Sequence, residues 1–250
     1  MDDAPLAELL ARLTGQLLIA ARDSIAIGQD ELGAVGDRIA NRMLVEALAS
    51  IRPDDSILSE EDRHGHFRPA CARNWLLDPL DGTREYSLRA ADRPDWAVHV
   101  ALVREESPIA AAVAIPVRRR SYATHTAALQ SRPRASSNRL VVSRTRAPAA
   151  VQDVAQALGL EVIRMGSAGA KAMAVVEGDA DAYWHSGGLA GWDACAPVAV
   201  ARAAGLHVSH ADGSECRFRH DGSWRGDLVI CDKAIADRLL RAIQGTTNAP

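Results

Sequence analysis

An apolar strand that stops in acid constrains this chain more than any other feature. Asn74-Trp75-Leu76-Leu77 runs straight into Asp78-Pro79-Leu80-Asp81-Gly82-Thr83, which sets two carboxylates three residues apart at a strand end. Pro79 fixes one backbone angle and denies the chain a helix start there, so the turn can aim Asp78, Asp81 and the carbonyl of Leu80 at one point. Hard divalent cations take such oxygen ligands. Gly82 lets the backbone approach closely, and a helical start at Gly82-Thr83 presents free N–H groups suited to phosphate. The Thr83 hydroxyl adds a donor that can hold a water. A D-x-x-D pair taken alone also suits a helix N-cap, with Asp81 capping and Asp78 merely solvated. The acidic Glu60-Glu61 pair upstream and Trp192-Asp193 downstream favour a carboxylate cage instead.

The rest of the chain supplies elements to carry such a cage. Leu6, Leu9, Leu10, Leu13, Leu17 and Leu18 recur at helical spacing, and a second helical pattern runs from about Asp37 to Leu48. Ser56 to Ser59 forms a short strand that delivers its end to Glu60. Trp96 to Val103 and Ile109 to Val117 pair as a hairpin. From Gln130 to Asn138 the chain turns to Ser, Arg and Pro, which marks a boundary between residues 1–135 and 136–250. Beyond it strands and helices alternate: Leu140 to Ser143, Pro148 to Leu158, Glu161 to Arg164, Ala168 to Glu177, Ala182 to Trp184, Trp192 to Ala204, Asp227 to Cys231 and Ala234 to Ile243. Such alternation indicates an α/β half with a layered sheet, set behind an α+β half.

Composition excludes several function classes. A formal net charge of -3 over 250 residues argues against a partner that is a nucleic-acid polymer. Cys71, Cys195, Cys216 and Cys231 are scattered, with no CxxC pair and no zinc-ligand spacing. They read as reduced thiols of a cytoplasmic protein, Cys195 as a small packing residue. No apolar run approaches the ~20 residues of a membrane span, and Asp2-Asp3 is unlike the basic start of a secretory signal. Among 29 basic residues only Lys171 and Lys233 are lysines. His64 and His66 near Glu61 are expected in a solvated loop, since magnesium prefers oxygen.

Three strings together resemble the inositol monophosphatase superfamily. Asp78-Pro79-Leu80-Asp81-Gly82-Thr83 is similar to its DP(I/L)DGT signature, Ser59-Glu60-Glu61 to its (G/S)EE element, and Gly191-Trp192-Asp193-Ala194-Cys195-Ala196 followed by Ala204-Gly205 to its WDxAA…AG element. The resemblance implies a layered αβαβα sandwich. It implies metal ligation by Glu60, Asp78, Asp81 and Asp193 with the Leu80 carbonyl, two or three Mg2+ ions, and homodimers of the kind common in the family. Asp37, in Val35-Gly36-Asp37, matches an aspartate that bonds the threonine matched by Thr83, although the run before it, Leu32-Gly33-Ala34-Val35, departs from the family pattern. Glu61 is expected to support the ligands without being one.

What chemistry follows is hydrolysis of a small-molecule phosphate ester. Converging carboxylates repel one another unless cations compensate them, and metal-activated water is a competent nucleophile for in-line attack on phosphorus. By the resemblance, Thr83 polarised by Asp37 orients that water, while the amides of Gly82 and Thr83 hold the non-bridging oxygens and Asp193 also faces the leaving group. The string Trp75 to Tyr86 is similar to the WLVDPLDGTKEF form of the 3'(2'),5'-bisphosphate nucleotidases, and Gly166-Ser167-Ala168-Gly169-Ala170-Lys171 resembles their GSSLK element. Ser186 stands where inositol monophosphatases tend to place a glutamate. These features imply a substrate pocket using Ser167 and Lys171, turnover of 3'-phosphoadenosine 5'-phosphate to AMP, a place in sulfur metabolism, and lithium sensitivity. Ser167 as a plain helix cap, Lys171 as an exposed helical lysine and His185 as a structural residue are readings the sequence leaves open. Inositol-1-monophosphatase, fructose-1,6-bisphosphatase and a non-catalytic nucleotide sensor remain alternative functions.

Overall fold

A computed structural model describes residues 1–62, 66–89, 94–130, 136–219, 221–224 and 226–247. His64 and the residues 131–135 at the expected boundary lie outside the described residues. Two long helices open the chain, α1 (Asp3–Ser24) and α2 (Gln29–Ile51). A five-stranded sheet follows in the order β1 (Ser56–Ser59), β2 (Asn74–Asp81), β3 (Ala97–Arg104), β4 (Ser107–Ile115) and β5 (Arg120–Ala123). Short helices α3 (Thr83–Ser87) and α4 (Ala127–Gln130) interrupt and end it. Only the β1–β2 pair is parallel.

The second sheet is built from β6 (Arg139–Ser143), β7 (Glu161–Met165), β8 (Ala182–His185), β9 (His207–Ser209) and β10 (Leu228–Cys231), in the order β7-β6-β8-β10-β9. Its connecting helices are α5 (Val151–Leu158), α6 (Ala168–Glu177) and α7 (Gly191–Ala203), and α8 (Ala236–Thr247) follows β10. β6 pairs in parallel with β7 and β8, whereas β10 runs antiparallel to β8 and β9. The alternation in the sequence therefore gives a mixed sheet.

Three buried clusters define the layers. Leu6, Leu10, Leu44 and Leu48 pack on Trp75, Leu77, Val98 and Val100, placing α1 and α2 on one face of the first sheet. Leu76, Ala97 and Ala101 on the opposite face meet Met173, Val176, Val198 and Tyr183, so α6 and α7 lie between the sheets. Val151, Val154, Leu239 and Ile243 cover the far face of the second sheet against Leu140, Trp184 and Val229. The αβαβα sandwich is thus α1/α2, sheet, α6/α7, sheet, α5/α8. The central strands β2, β3, β6, β8 and β10 are buried on both faces and so read as near-continuous apolar runs, whereas the edge strand β7 is partly exposed.

Several elements differ from the sequence expectation. β2 continues through Pro79 to Asp81, because its pairing with β3 shifts register between Asp78 and Asp81 and Pro79 falls in that irregularity. α2 starts at Gln29, which puts Asp37 inside the helix. Gly33 and Gly36 disfavour helix locally, yet packing requires them. A Cβ at Gly36 would meet the Tyr86 ring at 2.7 Å, so glycine lets α2 approach α3 closely. α1 is long and apolar enough to cross a membrane by length and composition, against the expectation that no segment is. Leu6, Leu10 and Leu18 are nonetheless buried on the first sheet, as in a core helix.

Candidate active site

The polar end of the sandwich opens into a cleft of about 450 Å³ whose walls come from both sheets. Glu60 follows β1, Asp78 and Asp81 end β2, and Asp193 stands in the first turn of α7. Ligand oxygens of Glu60, Asp78 and Asp193 lie within 4.8 Å of one another. Four distant carboxylates expected to converge are therefore assembled at one place, Asp81 grouping with Asp78 and His99.

The three aspartates are held by local structure. Asp78 accepts from the Leu80 amide through Oδ1 at 3.2 Å, which fixes the turn. Asp193 reaches back to accept from the Ala190 amide at 2.9 Å, at the N-terminus of its own helix. Asp81 Oδ2 accepts from the Ser167 hydroxyl at 2.5 Å and from the Gly169 amide at 2.8 Å. Thr83 Oγ1 is 3.1 Å from the Leu80 carbonyl oxygen and 3.4 Å from Asp37 Oδ1. Gly82 turns the chain into α3 at φ +94°.

The electrostatics of the acids diverge. Burial, then the Asp81 charge and the Glu60 charge, raise Asp78 well above the usual carboxylate range. Glu60 is exposed as a residue at the cleft mouth, yet partial desolvation of its carboxyl group there, then Asp193 and Asp81, push it up to about 7. Burial and Asp81 raise Asp193 as well. For Asp81 burial acts upward too, but His99, Lys171 and the Ser167 hydroxyl together outweigh it and hold the group at about 2. Asp37 rises to about 7 through burial and the neighbouring Glu61. Among the described residues, no arginine or lysine forms an ion pair with Glu60, Asp78 or Asp193. A crowd of oxygen donors short of positive charge fits a hard divalent cation.

The opposite wall is basic. Lys171 lines the cleft but is buried, and its Nζ donates to the carbonyls of Gly166 at 2.8 Å and Ser167 at 2.5 Å, 5.2 Å from the centre of the Tyr183 ring. Burial lowers it to about 8. Ser167 both caps α6, accepting from the Ala170 amide, and donates to Asp81. His185 accepts from the Gly187 amide, and burial followed by Lys171 and Arg146 lowers it to about 4. Ser186 is exposed in the loop after β8, His66 is exposed, and Cys195 is buried in the middle layer.

Three contributors escaped the sequence reading. His99 sits buried on β3 against Asp78 and Asp81. Arg144 pairs with Glu85 and, at 2.7 Å, with Asp95. Arg146 lines the cleft and donates to the Gly188 carbonyl at 3.2 Å. A histidine alone in an apolar strand, and two arginines just past a strand end, were the available signals.

Comparison with known proteins decides the family. The inositol monophosphatase family model matches residues 7–247. The chain belongs to the inositol monophosphatase family. Phosphatases of this family are metal-dependent, and the acidic cluster of this member suits that requirement. It is 43% identical to a 3'-phosphoadenosine 5'-phosphate phosphatase of Mycobacterium leprae (strain TN), across 98% of this chain and 94% of that one. It is 32% identical to the 3'(2'),5'-bisphosphate nucleotidase CysQ of Escherichia coli (strain K12), across 71% and 75%. The fold superposes on an inositol monophosphatase from Anabaena (Nostoc) sp. PCC 7120 with a TM-score of 0.78 at 22% identity, covering 97% of this family member and 95% of that chain. CysQ from Bacteroides thetaiotaomicron gives 0.76 at 23% identity, covering 91% and 96%.

Proposed function

We propose that this chain is a magnesium-dependent 3'(2'),5'-bisphosphate nucleotidase that converts 3'-phosphoadenosine 5'-phosphate to AMP and phosphate. One observation carries the hydrolytic reading: carboxylates from three separate segments, Glu60, Asp78 and Asp193, come within 4.8 Å of one another, and among the described residues no arginine or lysine pairs with them. The substrate class rests on the names of the relatives at 43% and 32% identity. An exposed Arg146 on the wall facing the acids suits a substrate with a second anionic group.

Glu60, Asp78, Asp81, Asp193 and the Leu80 carbonyl would hold two or three Mg2+ ions. Bound there, the ions would supply charge neutralisation for the phosphoryl group and acidify a water. The remaining work belongs to the chain. Thr83, backed by Asp37, orients the attacking water and receives its proton into the Thr83–Asp37 pair. The amides of Gly82 and Thr83 face the non-bridging oxygens. Ser167 and Lys171 shape the substrate side through the Gly166–Ser167 backbone they hold. Residues 1–135 then act as the half that carries Glu60, Asp78 and Asp81, and 136–250 as the half that brings Asp193 and the specificity wall. Four free thiols suit a cytoplasmic enzyme, and a homodimer is the assembly we expect.

The test is phosphate release from 3'-phosphoadenosine 5'-phosphate, inositol-1-phosphate and fructose-1,6-bisphosphate, each with Mg2+ and again with added Li+. The nucleotide should be hydrolysed fastest and Li+ should inhibit. Faster release from either sugar-type phosphate would overturn the substrate assignment.

A further inference from the structure

His99 stands on β3 directly across from Asp78 in the strand register. It has no exposure to solvent. Its side chain shares a face with Ala97 and Ala101, turned toward the middle helices. Among alanines and valines a buried imidazole has no packing rationale, and what surrounds it is the cage. Nε2 lies 3.2 Å from Asp81 Oδ2. Nδ1 lies 3.8 Å from Asp78 Oδ2 and 3.4 Å from the carbonyl oxygen of Trp192, the residue before Asp193.

The neighbouring helix is cut away to admit this ring. A Cβ at Gly169 would fall 2.1 Å from His99 Nε2, so no other residue fits there while the histidine stays in place. The Gly169 amide and the Ser167 hydroxyl donate to the same Asp81 oxygen that His99 faces. Oδ2 of Asp81 thus accepts two hydrogen bonds and faces the His99 Nε2, a buried nitrogen that itself makes no hydrogen bond to the described residues. Among the described residues, no hydrogen bond reaches Asp81 Oδ1.

We propose that His99 is a positioning residue for the metal cage. Its ring sets the spacing between the β2 turn, which carries Asp78 and Asp81, and the start of α7, which carries Asp193. The inference rests on the metal-site reading above. Groups that orient metal ligands from behind typically contribute roughly 10–100-fold to metal affinity, and this ring touches two ligands and the backbone next to a third.

Titration calorimetry of Mg2+ into the purified full chain, without substrate, reads this directly. His99→Asn is too short to reach Asp81, whereas the amide of His99→Gln can occupy the Nε2 position. We expect His99→Asn to weaken Mg2+ binding by roughly 10–100-fold and His99→Gln to recover most of it. At saturating Mg2+ the KM for 3'-phosphoadenosine 5'-phosphate should stay near that of the unaltered chain in both. Val100→Ala, a core truncation on the opposite face of β3, should lower the melting temperature and leave Mg2+ affinity unchanged. Unaltered binding in His99→Asn overturns the proposal. So does a loss in Val100→Ala as large as that in His99→Asn, or a His99→Gln no better than His99→Asn. Asp81→Asn separates the two levels: if it binds Mg2+ normally, the metal site itself is misassigned.

Discussion

The two walls of the cleft are both lined with charge, and the protein treats them in opposite ways. On the basic wall, Arg144 is clasped by Glu85 and Asp95, and Lys171 spends its donors on two backbone carbonyls. On the acidic wall, Glu60, Asp78 and Asp193 face one another, and desolvation together with the charges of neighbouring carboxylates, Asp81 among them in every case, raises all three. A charge that the fold has neutralised is architecture, while a charge left unmatched is a demand on a ligand. The largest effect should therefore come from the acidic wall. Asp78→Asn or Asp193→Asn should lower the rate of phosphate release by about 10³-fold, given the several kcal/mol that a positioned cation supplies. Stability should move the other way. With chelator present, Asp78→Asn should melt at or above the unaltered chain, because one repelling carboxylate is gone. With Mg2+ added, the unaltered chain should gain more. A metal-free Asp78→Asn protein that melts well below the unaltered chain would mean that the acids are structural rather than waiting for a cation.

The basic wall breaks differently. Arg144→Ala strands Glu85 and Asp95, which are 5% and 4% exposed, without their cation. Removing one partner from a buried pair costs about 3 kcal/mol, readable in denaturant unfolding. The Arg144 clasp also joins the loop before β3 and helix α3 to the second sheet, since the Gly166 amide donates to Asp95 beside it. We expect Arg144→Ala to lower stability more than it lowers metal affinity. An equal loss of Mg2+ binding would show that the clasp sets the cage geometry and would blur the contrast between the walls.

How far the sequence revealed these walls follows from how their residues are distributed. The acidic wall comes in contiguous strings, Ser59-Glu60-Glu61, Asp78 to Thr83 and Trp192-Asp193, so local reading reaches nearly all of it. His99 is isolated in Ala97-Val98-His99-Val100-Ala101, and its meaning appears only when β3 lies beside β2 and α6 leaves room at Gly169. Glu85, Asp95 and Arg144 are each unremarkable in sequence, and only their meeting across 49 to 59 residues makes a clasp. The layers were legible because helical periodicity is strong in α1 and apolar runs of strand length mark β2 to β4. The first two turns of α2 were hidden by Gly33 and Gly36, which serve the contact with α3 rather than the helix. β5 and β9, at 4 and 3 residues, are too short to carry a period.

Arg146 offers the smallest effect and the finest test of the contrast, because it is the basic-wall residue that the fold has not fully committed. Its backbone amide donates to Ser143 and one guanidinium nitrogen donates to the Gly188 carbonyl, leaving an exposed cation at the cleft rim. If unmatched charge marks ligand contact on this wall too, Arg146 meets a substrate anion remote from the reacting phosphate. Arg146→Ala should then raise the KM for 3'-phosphoadenosine 5'-phosphate about tenfold, near the value of one charge-assisted hydrogen bond. The KM for 3'-AMP, which lacks the second phosphate, should hardly change, and kcat should hold for both. Arg146→Lys should recover part of the loss, since it keeps the charge and forfeits the planar fork. Equal increases for both nucleotides would assign Arg146 to the sugar, the base or the Gly188 loop, and a free charge on the basic wall would no longer signal a ligand as it does on the acidic one.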